Sequence, residues 1–427
     1  MDLFQSSRGT IGKIGRRLGL DLHYIVRNGF WTTLSFVIGT VASILTGIAF
    51  GNLLPKETYG VYTYLLSFGA SLSFLTLSGT SIAVTRAVAR GYENIVPVAL
   101  RLQLKYNLIA TAMVLSGAVY YGHKGNLVFA VSLAILAIAY PVSQAFHIHY
   151  QILTGRKRFD LLTKIGCIVT PLSLIATLGT LFLTHNILIL IAVYAFISIT
   201  SNIAVYLFVT RNIDKSSPDP EQVREMRRTS LHLTGAGLIG ILAQYIDKIV
   251  LFHVAGPAQL AIYAFAIAGP NSLKSLLKNW IGTAIPNLAQ RSLLEIRQVF
   301  YRRLAQSIFI GAVVALAYII FSPILFQILL PQYLISVDFS RVQALSLIIL
   351  PVIIYISSVF AGQNMLRATY AQSTGGQVFY ILLVLLLGWR WQIWGLIAAS
   401  LLSTIINAMY GIVVWEIETR RIIRKNV

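Results

Sequence analysis

Long apolar runs recur along the chain, near residues 29–53, 59–83, 103–121, 127–149, 161–183, 186–209, 230–254, 258–285, 304–330, 341–362, 375–389 and 393–415. A helix rises about 1.5 Å per residue, so about twenty residues cross a hydrocarbon layer roughly 30 Å thick. In lipid each backbone N–H and C=O must be satisfied within the protein, and an apolar run of that length achieves this as a helix. The expectation is therefore an all-α integral membrane protein with about 12 transmembrane helices. The eleventh run is short and ends at Trp389, Arg390 and Trp391. Composition agrees, with 56% apolar and 11% charged residues among 427 and a mean hydropathy of +0.74.

The chain also repeats itself. Shifted back by 201 positions, Thr229–Leu273 falls on Asn28–Leu72, with Arg228 on Arg27, Ile262 on Val61 and Tyr263 on Tyr62. Residues 210–228 carry mixed charge with Pro218 and Pro220, the composition of a linker between halves. The expected division is a basic amphipathic N-terminal segment at 1–28, a six-helix lobe at 29–209, the cytoplasmic linker, a second six-helix lobe at 229–416 and a basic tail at 417–427. Both lobes begin on the same side of the membrane, so the two six-helix bundles form a parallel repeat about an axis along the membrane normal.

A net charge of +20 would suggest a nucleic-acid partner in a soluble protein. Here its placement explains it. With both termini cytoplasmic, the outer side holds only Lys56, Lys124, Arg341 and Arg390, three lysines lie within spans, and every other Lys and Arg faces inward. That asymmetry is the positive-inside signature and predicts a multi-pass plasma-membrane protein without nucleic acid. The first apolar run follows 28 polar and basic residues without a small-x-small exit, so it is expected to remain as an uncleaved anchor. Cys167 is the single cysteine, which excludes an internal disulfide or a cysteine metal site. His147 and His149, at i and i+2, do not share a helix face and make no metal pair.

Charged residues inside spans are the candidates for function, because each costs about 2.5–3.5 kcal/mol at the centre of a span on insertion scales. On the seventh span Gly237, Gly240, Gln244, Asp247 and Lys248 follow helical steps and form one stripe. Asp247 and Lys248 point about 100° apart and cannot satisfy each other well, so each needs another partner. Asp247 reads as a proton or sodium site, and Lys248 as an anion contact or a side chain snorkelling to the outer headgroups. Asn271, Lys274 and Lys278 share a face of the eighth span, where Lys274 lies about 24 Å along the helix. Lysines on one buried face suit phosphate or pyrophosphate, with inner-leaflet snorkelling as the alternative. Arg27 opens span one as Arg228 opens span seven, either marking the inner boundary or guarding the cytoplasmic mouth. Tyr59, Tyr62 and Tyr263 read as interface anchors. No loop approaches domain size, and no Walker motif, zinc motif or acidic pair with catalytic spacing occurs, so an enzyme is not expected and no cofactor is required beyond a coupling H+ or Na+.

Taken together, several motifs resemble one family. The Leu54–Tyr62 turn with its Tyr-Gly-x-Tyr, its counterpart from Asp247 to Tyr263, the Leu-Thr-Gly-Arg-Lys-Arg-Phe turn at 153–159, Leu330-Pro331-Gln332-Tyr333 and the helix start from Trp394-Gly395 to Ala399 are similar to the polysaccharide-transport, O-antigen flippase family. That family lies in the multidrug/oligosaccharidyl-lipid/polysaccharide flippase superfamily. The resemblance spans about 27–415, with Ala261 standing where the repeat would carry glycine. It implies two bundles around a cationic cavity and movement of a polyprenyl-pyrophosphate oligosaccharide from the inner to the outer leaflet. Lys248, Lys274 and Lys278, with Asn271, Gln244 and Arg27, would then meet the headgroup, and Asp247 would couple transport to H+ or Na+. A polysaccharide polymerase and assembly proteins are the implied partners besides the lipid bilayer. The rivals are a cation-coupled multidrug exporter of the same fold, which predicts acidic cavity residues, and a membrane glycan polymerase or transferase, which predicts a catalytic loop.

Overall fold

The structure is a computed structural model that describes residues 22–213, 216–282 and 292–425. It is all-α among the described residues. The helices are α1 (Leu22–Leu53), α2 (Lys56–Ser71), α3 (Thr80–Ala89), α4 (Val96–His123), α5 (Leu127–Phe146), α6 (Ile148–Gly155), α7 (Phe159–Leu183) and α8 (Ile187–Thr210). They continue as α9 (Pro220–Ala255), α10 (Pro257–Gly282), α11 (Leu293–Leu329), α12 (Ser336–Ala344), α13 (Ser346–Gly362) and α14 (Leu366–Lys425).

Among the described residues, ten helices are long and apolar enough to cross a membrane. Two local breaks reconcile ten helices with about twelve crossings. The second expected span is not continuous: α2 stops at Ser71, a 3-10 turn covers Leu72–Phe74, and α3 starts only at Thr80. Conversely, α14 is broken at Gln392, whose φ of 49° and ψ of −124° are non-helical, so this one element supplies the last two crossings. Exposed Trp389, Trp391 and Trp394 flank that break, as expected where a chain turns at headgroup level. The apolar run 375–389 is thus the middle of an arm that begins at Leu366. Helix α9 likewise begins at Pro220, inside the stretch read as linker, where proline suits a first helical position.

Prolines within the helices show how the interior is kept satisfied. Pro141 in α5 has no N–H to give Ala137, and the Thr111 hydroxyl of α4 donates to that carbonyl instead at 3.1 Å. Asn107 donates to the Pro141 carbonyl at 2.6 Å. In α11, Pro323 frees the Ile319 carbonyl, which accepts from Arg341 Nε and from the Ser322 hydroxyl, each at 3.2 Å. Arg341 therefore satisfies a carbonyl that Pro323 leaves without its helical donor.

The chain forms two compact units, residues 1–49 with 75–234 and residues 50–74 with 235–427. In the first, α3, α4, α6, α8 and the start of α9 close over a core that includes Val84, Ile95, Ile152 and Met226. The segment joining α3 to α4 is tied down at its polar end. Arg156, next to α6, grips Glu93 with Nε at 2.6 Å and Nη2 at 2.5 Å, and its Nη1 donates to the Val209 carbonyl at 3.2 Å. The Glu93 carboxylate raises the proton affinity of that guanidinium further, chiefly through the paired hydrogen bonds. Asn94 donates to Ser216, and Arg90 pairs with Glu225 of α9 at 3.2 Å.

In the second unit α2 packs along α10 at very short range. A Cβ on Gly60 would stand 1.9 Å from the Pro257 carbonyl oxygen, so only glycine fits. Its repeat counterpart Ala261 is fully buried and keeps its methyl. Between α9 and α10, Gly256 takes a φ of 84°, a left-handed geometry that closes α9 in one residue. Tyr64 stacks on Phe252 at 3.9 Å and Tyr59 on Phe265 at 4.8 Å, which completes the α2, α9 and α10 cluster. Phe300 of α11 stacks on Trp415 of α14 at 4.5 Å, centring a second cluster in the same unit.

Candidate functional site

Within the second unit, α9, α10 and α14 bring three polar side chains together, Asp247, Tyr263 and Tyr380. Asp247 on α9 is only 5% exposed, and Tyr263 on α10 only 2%. The Tyr263 hydroxyl donates to Asp247 Oδ2 at 2.7 Å. The other carboxylate oxygen, Oδ1, accepts the backbone N–H of Lys248 at 2.8 Å. Tyr380 on α14 interacts through its hydroxyl with both Tyr263 and Asp247. Lys274, about three turns beyond Tyr263 along α10 on nearly the same face, is half-buried and feels the charge of Asp247 over a longer range. The group is thus a carboxylate held by the Tyr263 hydroxyl, with Tyr380 beside the pair and the Lys274 ammonium further along α10.

The local sequence accounts for the geometry. The tight α9–α10 turn folds Tyr263 back beside Asp247, sixteen residues earlier in sequence. On α14, Gly376, Gln377 and Tyr380 follow i, i+1 and i+4 steps, and Gln377 lies directly against Gly240 of α9. The pairing of α9 with α14 is close because Gly240 has no side chain to hold Gln377 away.

Asp247 receives the outside partner it required from Tyr263, whereas Lys274 makes no ion pair with it among the described residues and senses its charge only at longer range. Lys248 is half-buried with its ammonium 5.7 Å from the centre of the Tyr245 ring, a cation–π distance. Gln244, Asn271 and Lys278 are exposed on α9 and α10 and do not touch the Asp247 group. Arg27 falls in α1, but its side chain lies outside the described residues. The reading of the tyrosines as interface anchors needs correction. Tyr62 and Tyr263 are buried, Tyr62 stacks on Phe50 at 4.9 Å, and Tyr263 serves Asp247, because the hairpins fold these positions inward rather than toward headgroups. Tyr380 and Gln377 were missed altogether. Their signal was two hydrogen-bonding side chains inside the apolar run 375–389, which its overall hydropathy conceals.

Comparison with known proteins bears on the whole chain. Residues 25–292 match the profile of a family described as polysaccharide biosynthesis protein. No curated protein matches the chain. Among solved structures, it is similar to the inward-facing conformation of a multidrug resistance MATE family transporter of the MOP superfamily, with a TM-score of 0.62, 15% identity, and 90% of this chain and 96% of the other covered. The outward-facing conformation gives 0.59, 16%, 94% and 96%. A MOP superfamily transporter from Pyrococcus furiosus, described by a reversed polarity of its binding pocket, gives 0.58, 16%, 92% and 95%. At these identities the likeness establishes the fold, that of MOP-superfamily transporters.

Proposed function

Since the chain belongs to the polysaccharide biosynthesis protein family, a family of membrane flippases and transporters, we propose that it moves a polyprenyl-pyrophosphate oligosaccharide from the inner to the outer leaflet of the cell membrane for surface polysaccharide assembly. The observation that carries this reading is the buried Asp247–Tyr263 pair with Tyr380 beside it and Lys274 further along the same helix as Tyr263. A carboxylate in a membrane span is expensive, and a chain that served only as a scaffold would gain nothing from keeping it.

The roles divide by charge. Lys274 with Lys278 and Lys248 meets the pyrophosphate as point charges that can let their ligand go. Asp247 takes up H+ or Na+, and Tyr263 and Tyr380 hold it in place while it does. Alternating access requires that the ion bind one state better than the other, since a ligand with equal affinity for both shifts nothing. Binding of an ion at Asp247 weakens its attraction for Lys274 and releases the lysine toward the anionic substrate. No step of this scheme makes or breaks a covalent bond, so the protein acts as a transporter and not an enzyme.

The rival is a cation-coupled drug exporter, favoured by the multidrug transporters that share the fold. The deciding experiment is transbilayer movement of a lipid-linked oligosaccharide in proteoliposomes, with the native protein, Lys274→Ala and Asp247→Asn compared. Native flipping that Lys274→Ala abolishes supports the proposal. Export of a cationic drug without flipping of any lipid-linked glycan overturns it.

A further inference from the structure

The polar end of the first unit carries a cleft that the transport scheme does not use. It has a volume of ≈ 510 Å³ and is lined by Tyr92, Glu93, Asn94, Asn212, Asp219 and Gln222, among others. A narrower pocket adjoins it and is lined by Arg86, Arg90, Glu225 and Thr229. Tyr92 and Gln222 line both, so the two are halves of one depression.

The floor is fixed and the walls are free. Glu93 is locked by Arg156 from two directions, and Asn94 is tied to Ser216. Asp219 Oδ1 accepts the Glu221 backbone N–H. By contrast the side chains of Tyr92, Asn212, Gln222 and Arg86 form no hydrogen bond or ion pair among the described residues, and Tyr92 and Arg86 are exposed. Arg90 is held only by an open pair with Glu225, in which both side chains are more than half exposed. Such a pair contributes little and exchanges readily for a better anion.

We infer that this depression captures a sugar diphosphate, with the sugar in the wide half and the diphosphate against Arg86 and Arg90. Three features of chemistry carry it. Asn212 and Gln222 each offer a donor and an acceptor from one amide, and Asp219 offers a further acceptor, the set that neighbouring sugar hydroxyls need. An exposed tyrosine ring gives a pyranose an apolar face to rest on. Arg86 in the last turn of α3 and Arg90 at its C-cap are spaced i and i+4 and supply planar donors that fork to phosphate oxygens. The wide half has the size of an ordinary small-ligand site, about 300–1,000 Å³. Of its carboxylates, Glu93 is neutralised by Arg156 and Asp219 lies in the sugar half, while Glu225 shares the narrow half and must give up Arg90 and turn to solvent, which its exposure allows.

The inference rests on the flippase reading only for the source of the ligand, a lipid-linked glycan awaiting transport. Calorimetric titration of the full chain in nanodiscs tests it with farnesyl-diphosphate N-acetylglucosamine, farnesyl-diphosphate galactose, UDP-N-acetylglucosamine and free N-acetylglucosamine as probes. The expected result is binding of the diphosphate-linked sugars, a loss of tenfold or more in Arg86→Ala and in Tyr92→Ala, and much weaker binding of the free sugar. Tighter binding of the farnesyl compounds identifies a lipid-linked source, and tighter binding of the UDP-sugar a nucleotide source; both support the site. Because both residues are exposed, the variants should keep native thermal unfolding. Binding of no probe, or equal binding by native protein and both variants, overturns the inference. If the native protein flips lipid-linked glycan and Arg86→Ala with Tyr92→Ala flips it at the native rate, the capture site falls and the flippase reading stands. If the native protein flips none, that reading falls, and the titration still decides the cleft.

Discussion

Tyr263→Phe removes one hydroxyl from the α9–α10 pair and almost nothing else. The bond it deletes is 2.7 Å long, buried, and ends on a carboxylate. Hydrogen bonds to charged groups contribute about 1.5–3 kcal/mol to stability, against about 0.5–1.5 for neutral pairs. Asp247→Asn keeps an acceptor oxygen in the same place but takes away the charge, so the bond should weaken to the neutral range. A double-mutant cycle over the two positions should therefore return a coupling of about 1–1.5 kcal/mol, beyond the 0.3–0.5 kcal/mol within which independent sites add. The assay is reversible unfolding in mixed micelles, followed by intrinsic fluorescence, for the native protein, both single variants and the double. Ion-driven flipping measured on the same four proteins should drop in Tyr263→Phe while the folded fraction stays high. Additive energies in the cycle would refute the claim that the hydroxyl serves the carboxylate, whatever the transport assay shows.

Three further outcomes follow from the packing. Gly60→Ala places a methyl 1.9 Å from the Pro257 carbonyl oxygen and should destabilise by about 1–3 kcal/mol or more through overpacking, whereas Ala261→Gly should cost about 1 kcal/mol; thermal unfolding in detergent compares them. Arg341→Met should lower stability by about 1–2 kcal/mol because Ile319 loses a donor, and adding Pro323→Ala should restore most of it, since residue 323 then supplies its own N–H; unfolding of the double variant at or below the single one counts against that role of Arg341. Glu93→Gln should weaken the clamp with Arg156, whose side chains are 26% and 28% exposed, by about 1 kcal/mol and speed proteolysis between α3 and α4; an unchanged cleavage rate contradicts the clamp.

The helices were legible because lipid demands them, and the length of each apolar run reports the demand directly. Breaks were less so. The Trp389–Gln392 dip in hydropathy marked the break at Gln392, but the 72–79 stretch interrupts apolar sequence without a comparable dip, so there the run says nothing of where the backbone leaves the helix. Asp247 and Lys274 could be picked out by expense alone. Their partners could not, because Tyr263 and Tyr380 are amphipathic residues equally at home at headgroup level, and only the folding of α10 and α14 against α9 turns them inward. The cleft at Tyr92 was invisible for another reason: its lining comes from the α3–α4 segment and from residues beyond α8, which a scan along the chain never sees side by side.

The segment Phe50–Phe74 is made early, yet the residues it packs on begin at Gly235. Translation runs at about 5–20 residues per second, so this hairpin spends on the order of 10–30 s in the bilayer before Phe252, Pro257 and Phe265 are synthesised. During that interval Gly60 and Tyr64 lack the Pro257 and Phe252 they pack on, although Tyr62 already has Phe50, and an insertion chaperone that shelters small-residue helix faces has a defined client. The same order of synthesis governs complementation: a gene cut in the 210–219 stretch yields two fragments, neither of which contains a whole unit. Co-expression restores the protein only if the first fragment lends Phe50–Phe74 to the second.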